Sequence, residues 1–390
     1  MKRNPHFASL PSLYLFQEIK QRVGAFCARV PDAAPISLGI GDTSSPLALP
    51  IAEASATAAR ALATPAGYSG YGPEAGHPEL RQRIAHALYA GRISPDDVFI
   101  SDGAKCDIAR LQVLFGKDAV RAFQDPTYPV YRDSTTLTAG TDTSRLLPCT
   151  PENRFIPDVT RAIGADVLFL CSPNNPTGTA FDEMTLRHIV SFARQHRMLI
   201  VFDTAYSFYL PPGSLRSIYE IPGAETVAIE VGSFSKMAGF SGVRLGWTIV
   251  PEALRYADGS SVRQDWMRLV TTLFNGASIL AQRGGMAALS DEGLAAIRTQ
   301  TTHYLENTRR LRDALHGAGY DVYGGSEAPY VWARIPGSGG SWQAFHELLE
   351  RYQLITTPGI GFGPSGEGFL RASGLGRTED VEEAIRRLRR

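Results

Sequence analysis

Three segments decide how this chain is read. They are Val167-Leu-Phe-Leu-Cys-Ser-Pro-Asn-Asn-Pro-Thr-Gly178, Leu199-Ile-Val-Phe-Asp-Thr-Ala-Tyr206 and Val227-Ala-Ile-Glu-Val-Gly-Ser-Phe-Ser-Lys236. Each opens on a strand-like run, at Val167–Leu170, Leu199–Phe202 and Val227–Val231, apolar but for Glu230 in the last. Each closes on polar groups of chemical use. Residues 182–196, between the first two, carry helical periodicity. Buried strands alternating with amphipathic helices argue for a mostly parallel sheet covered on both faces.

Working outward, the same pattern extends from about residue 76 to 250. Further strand-like runs lie at Val98–Ile100, Val120–Phe123 and Leu245–Val250, with helical segments near 78–90, 104–115 and 127–138. Upstream, Leu13, Phe16, Ile19, Val23 and Phe26 fall at helical spacing before a short strand at Ile36–Leu38, which makes 1–45 an arm. Downstream, a helical region is predicted over roughly 263–316 with an interruption near Ser290. The tail then reads strand, strand, helix, strand, strand, helix. The expected division is an arm of residues 1–45, a large domain of 46–286 and an α+β small domain of 287–390, with the arm rejoining the tail.

Composition bounds the function. The chain has 390 residues, of which 44% are hydrophobic and 20% charged, enough for two domains with ordinary cores. The 39 basic and 39 acidic residues cancel, which argues against a dedicated nucleic-acid or anionic-membrane surface. No run of 18 apolar residues suggests a membrane span. The opening Met1-Lys-Arg-Asn-Pro-His-Phe7 has no apolar stretch behind it, unlike a secretory signal. Cys27, Cys106, Cys149 and Cys171 lack metal-ligand spacing, so reduced thiols in a cytoplasmic protein and no metal are expected. Lysine occurs only at positions 2, 20, 105, 117 and 236, so chemistry that needs an amine has few candidates.

The motifs cluster where strands end, the edge at which open α/β sheets bind ligands. Ser233, Ser235 and Lys236 follow one strand, and Arg244 comes eight residues later. Two hydroxyls, an amine and a guanidinium suit a phosphate-bearing aldehyde, although a lone Ser-x-x-Lys is more often a solvated lysine on a turn. Asp203 leaves an apolar strand, where its charge is costly unless paired. A protonated pyridine nitrogen would pair it, and a helix cap is the alternative. Asn174-Asn-Pro-Thr-Gly178 is a tight turn or a donor site at Asn175. Ser101-Asp-Gly-Ala-Lys105 opens a helix whose free N–H groups suit an anion. In Asp125-Pro-Thr-Tyr-Pro-Val-Tyr131, Tyr128 either stacks on a planar ring or fills the core. Arg371, after Gly368-Phe-Leu, suits a carboxylate. Gly361-Phe-Gly-Pro-Ser-Gly366 matches the dinucleotide fingerprint only as a string, because it contains Pro364 and opens no helix. The penicillin-binding reading of Ser233-x-x-Lys236 lacks its Lys-Thr-Gly partner.

In this order the motifs resemble the fold-type-I, class I/II aminotransferases over nearly the whole chain. The runs Asn4–Phe7, Ile40–Thr43, Gly70–Glu74, Ser101–Asp107, Gly239–Trp247, Phe274–Ser278 and Pro358–Gly363 closely resemble the LL-diaminopimelate branch of that family. The resemblance implies a pyridoxal 5'-phosphate transferase with a seven-stranded type of sheet. It implies that Lys236 joins the cofactor and moves the substrate proton, that Asp203 pairs with the ring nitrogen, and that Asn175 and Tyr206 hold the ring oxygen. Tyr128 would stack on the ring. The Ala104 and Lys105 backbone, Ser233, Ser235 and Arg244 would bind phosphate. Tyr71 and Asn275 would come from the other subunit of a homodimer. Arg371 would take the α-carboxylate, while Tyr14, Gly41, Glu74 and Lys105 would line the distal end of a long diacid. Tyr128 and Asn175 would touch substrate as well as cofactor. The implied reaction takes LL-2,6-diaminopimelate and 2-oxoglutarate to tetrahydrodipicolinate and glutamate, in lysine and peptidoglycan precursor synthesis. An aminotransferase of aromatic, alanine or aspartate specificity is the alternative. A binding module on the same fold is less favoured, because it would not need the lysine, aspartate and arginine together.

Overall fold

The computed structural model describes residues 1–39, 41–337 and 339–389, so Ile40 of the run above lies outside the described residues. Thirteen strands occur among them: β1 (Ile36–Ser37), β2 (Val98–Ser101), β3 (Arg121–Asp125), β4 (Ser144–Pro148), β5 (Val167–Cys171), β6 (Leu199–Asp203), β7 (Ala228–Ser233), β8 (Gly246–Ile249), β9 (Asp321–Gly324), β10 (Tyr330–Arg334), β11 (Leu354–Ile355), β12 (Thr357–Pro358) and β13 (Phe369–Ser373). Seven form one sheet in the order β2-β8-β7-β6-β5-β3-β4, in which β8 alone runs antiparallel to its neighbours.

Alternation along the central strands builds two cores. Leu168, Leu170, Ile200 and Phe202 face one way, onto Leu80 and Ile84 of helix Pro78–Ala87 and Leu186 and Ile189 of helix Glu183–His196. Val167, Phe169, Val201 and Ile229 face the other way, onto Ile108 and Leu111 of helix Ala104–Phe115 and Trp266 of helix Val262–Leu273. A third core joins the ends of the chain. Leu15, Ile19 and Phe26 of helix Leu15–Arg29 pack with Trp332, Phe345, Leu348 and Ile385. There β1 pairs with β11, and β12-β13-β10-β9 form an antiparallel sheet.

The structure departs from the sequence reading in three places. Edge strand β4 was not expected, because only Leu147 of its five residues is buried and it carries no apolar run. The helical region after 262 breaks twice, near Ser290 as expected and also between Leu273 and Ile279. Asn275 (φ 65°) and Gly276 (φ 99°) turn the chain at that second break. Helix Leu49–Ala61 was not singled out; it packs on helix Ile279–Ala288.

One close approach fixes the functional edge of the sheet. A Cβ on Gly246, where β8 starts, would lie 2.8 Å from Gly103 Cα and 2.9 Å from both Ala104 N and Gly232 O. Gly246→Ala should therefore cost about 1–3 kcal/mol through overpacking. Gly242→Ala, with open space around it, should stay within about 0.5 kcal/mol of wild type. Comparison of urea midpoints checks this, and equal midpoints for the two variants would contradict the packing argument.

Candidate active site

Sheet register lines up the polar strand ends. Asp203 sits beside Cys171 and Val231, while Ser101 and Ser233 flank Gly246. Across from this edge, β13 presents Arg371. A cleft of about 330 Å³ lies between them.

One end of the cleft is built for an anion. Helix Ala104–Phe115 starts after Gly103 without a side-chain cap. Gly103 has φ 119°, and a Cβ there would lie 2.6 Å from the Arg244 guanidinium. Arg244 Nη1 donates to the Ser241 carbonyl at 3.1 Å and lies 3.5 Å from Ser235 Oγ, and Ser233 also lines the cleft. Uncapped N–H groups, hydroxyls and a guanidinium thus converge on one point. Arg244 itself has φ 67°, a strained conformation that persists only where the surroundings impose it.

The middle of the cleft holds a carboxylate with no cation beside it. Asp203 is buried, accepts from Tyr131 Oη at 2.6 Å and from the Ala205 N–H at 2.9 Å, and among the described residues forms no salt bridge. Burial pushes its carboxyl up from the usual range, and the Tyr131 hydroxyl and Ala205 N–H pull it back.

The far end holds the opposite charge. Arg371 is only 1% exposed and has no acidic partner among the described residues. Its guanidinium donates to Asn175 Oδ1 at 2.6 Å and to the Gly39 carbonyl, and it lies 4.4 Å from the Tyr330 ring centre and 4.9 Å from that of Phe362. Its Nε is buried without an acceptor. Tyr206 Oη meets Tyr330 Oη at 2.8 Å on the same wall.

Lys236 stands between these poles. Its Nζ donates to Ser241 Oγ at 3.2 Å, and Tyr209 Oη donates to its carbonyl at 2.8 Å, fixing the backbone. Burial pushes the ammonium down to about 8; Asp42 opposes this shift, while Arg371 and Arg244 add to it. Lys105 is placed differently. It is exposed, with Nζ 4.6 Å from the ring centre of Tyr14 and 5.9 Å from that of Tyr128.

Most of the residues singled out in the sequence meet here. Gly41, Ala104, Lys105, Tyr128, Asn175 and Asp203 line the cleft, and so do Tyr206, Ser233, Ser235, Lys236, Arg244 and Arg371. Four do not. Tyr14 lines an adjoining groove that shares Lys105, and its hydroxyl is buried without a partner. Tyr71 is 93% exposed, and Glu74 and Asn275 are also exposed, because no segment of the same chain covers them. Sequence reasoning missed Tyr131, Tyr330, Ser241, Asp42 and Phe16. Tyr131 had a signal, three residues after Tyr128 in the same motif. Tyr330 sits in an apolar strand and had none.

The unusual amine gives a direct test. In the cofactor-free protein, acetylation of Lys236 should rise with pH through a midpoint near 8, below the value of about 10.4 for a lysine in a model peptide. Asp42→Asn should move the Lys236 midpoint lower still, since it removes a charge that favours the ammonium. Peptide-resolved labelling measures this; a Lys236 profile that tracks that of a free lysine peptide would contradict the burial argument.

Comparison with known proteins identifies the family. The family profile of class I and II aminotransferases matches residues 34–388. LL-diaminopimelate aminotransferase of Protochlamydia amoebophila (strain UWE25) is 48% identical over 400 residues, which cover 100% of this chain and 97% of that protein. The chloroplastic LL-diaminopimelate aminotransferase of Arabidopsis thaliana is also 48% identical over 400 residues, covering 100% of this chain and 87% of that one. The solved structure of L,L-diaminopimelate aminotransferase from Chlamydomonas reinhardtii superposes with a TM-score of 0.95 at 48% identity, covering 100% of this chain and 98% of that one. With its register-aligned strand ends, anion cradle and unpaired charges, this chain belongs to the class I and II aminotransferases.

Proposed function

We propose that the chain uses pyridoxal 5'-phosphate to move an amino group from LL-2,6-diaminopimelate to 2-oxoglutarate, giving tetrahydrodipicolinate and glutamate. The observation that carries the cofactor reading is the buried Asp203 carboxylate, which has hydrogen-bond donors but no cation. A buried charge without a partner costs several kcal/mol, and a pyridinium nitrogen would supply the partner. The anion cradle of Ala104, Lys105, Ser233, Ser235 and Arg244 fits a phosphate, and the flat ring of Tyr128 fits a planar heterocycle.

When bound, the cofactor would supply an aldehyde that condenses with amines and a ring that accepts an electron pair. The chain would do the rest. Lys236, held by Tyr209 and carrying an amine that is half neutral near pH 8, would attach the cofactor and carry the proton to and from the substrate Cα. Tyr206 and Asn175 would hold the ring oxygen. Arg371 would bind the α-carboxylate in a bidentate pair, and the desolvated setting makes that pair strong. Lys236 and Arg371 are distinct in role: one is reactive because burial lowers its proton affinity, the other offers a planar fork of donors that matches a carboxylate.

The distal end of a long diamino diacid needs an anion for its ammonium and donors for its carboxylate. We assign these to Glu74, Tyr14, Gly41 and Lys105, with Tyr71, Glu74 and Asn275 reaching the cleft of a second copy in a homodimer. The exposure of Tyr71 (93%) and of Tyr68 (72%) on the same segment supports this reading, because large exposed aromatics commonly mark an interface. A donor panel tests the specificity. LL-diaminopimelate should exceed both the meso isomer and phenylalanine in kcat/KM by ~10² or more, and Glu74→Ala should harm turnover of LL-diaminopimelate far more than that of glutamate. Fast turnover of phenylalanine, or equal damage to both donors, would refute the assignment.

A further inference from the structure

We propose that Asp125 positions Arg371, by latching the glycine-rich loop 359–368 onto the end of β3. This rests on the reading of Arg371 as the carboxylate site. The loop carries the dinucleotide-like string, and the structure gives the string a different purpose. It joins β12 to β13, whose register pairs Pro358 with Leu370 and Thr357 with Arg371. Arg371 therefore stands one residue beyond the loop's base, and whatever holds the loop also holds the guanidinium.

The hold is specific. Asp125 is 2% exposed, and its Oδ2 accepts from Ser365 N at 3.0 Å and from Ser365 Oγ at 2.7 Å. Its Oδ1 is buried without a donor and faces Gly363, where a Cβ would lie 1.8 Å away. Two residues on, Thr127 N donates to the Phe362 carbonyl at 2.9 Å, and the Phe362 ring lies 4.9 Å from the Arg371 guanidinium. The other glycines serve equally close contacts: a Cβ on Gly361 would lie 2.3 Å from Leu15, and one on Gly359 would lie 2.1 Å from the Gly366 carbonyl oxygen. Glycine is present because backbones and side chains meet there, not to cradle a phosphate. A buried carboxylate that spends its acceptor on a remote loop carries a desolvation cost. It sits here where the segment bearing Tyr128 touches the segment bearing Arg371. Asp125 thus brackets the ring-stacking and carboxylate-binding sides of the cleft, acting through Arg371 rather than on the substrate.

The test uses the cofactor-loaded enzyme and the variants Asp125→Ala, Ser365→Ala and the double mutant. Each single change should raise KM for both the amino donor and 2-oxoglutarate by about tenfold, on the scale that a slightly misplaced binding group costs. kcat should change by less than about threefold, and pyridoxal phosphate affinity by less than about twofold. The double variant should be no worse than the poorer single, because the two residues form one contact. Ser365→Thr, which keeps the hydroxyl, should restore KM. A fall in melting temperature with KM unchanged, or additive effects in the double variant, would overturn the latch. Arg371→Lys is the control on the underlying reading. If KM is unchanged there, the carboxylate assignment fails and the latch fails with it. If KM rises there and not in the latch variants, only the latch fails.

Discussion

Two opposite charges, each buried and each without an ionic partner among the described residues, are the constraint around which this structure is organised. Asp203 and Arg371 sit on walls of one cleft that come from different sheets. Neither lies within salt-bridge distance of the other or of any other charge among the described residues. Each is partly satisfied by neutral groups: Asp203 by a phenol and an amide, Arg371 by an amide oxygen, a carbonyl and aromatic faces. Neutral donors soften the cost of burial without cancelling it. Such a cleft is an incomplete electrostatic structure, and the natural completion is a ligand that is cationic at one point and anionic at two.

Much of the seven-stranded sheet and the helices on it serves to hold this arrangement open. The helix that begins at Ala104 presents its positive end to the cleft, and Arg121 satisfies its other end by donating to the carbonyls of Gln112, Gly116 and Ala119. A cation at the carboxyl end and an anion at the amino end both complement the helix dipole. Glycines at 103 and 246 let the helix start, two strand ends and Arg244 crowd into a space that side chains would fill, and Gly232 makes room for the Trp247 ring. The lysine then enters on a short helical turn capped by Ser233 and pinned by Tyr209. Asp203, Ser233, Lys236 and Arg371 all stand on strands or a helical turn, as pre-organised chemistry requires.

The sequence was most legible where burial is two-sided and local. Val167–Leu170 and Leu199–Phe202 read as strands because both faces must be apolar, Val227–Val231 does so despite the buried Glu230, and the polar residues that end them stand out against that background. β4 was illegible because it is an edge strand with only Leu147 buried. The break at Asn275-Gly276 carried a turn signal inside an otherwise periodic stretch, and the periodicity dominated. Tyr131 and Tyr330 could not be assigned, since their partners Asp203 and Tyr206 lie 72 and 124 residues away. Tyr71, Glu74 and Asn275 are a different case: the family resemblance singled them out, yet nothing within a single chain brings them to the cleft.

The central claim is that this cleft is completed by an aldehyde-bearing, phosphate-bearing cofactor joined to Lys236. Borohydride reduction of the protein incubated with pyridoxal phosphate, followed by peptide mass mapping, tests it most directly. The account predicts one pyridoxyl group per chain, on the peptide that contains Lys236, with the exposed Lys105 unmodified. Label on Lys105 instead, or no stable label on Lys236, would contradict it.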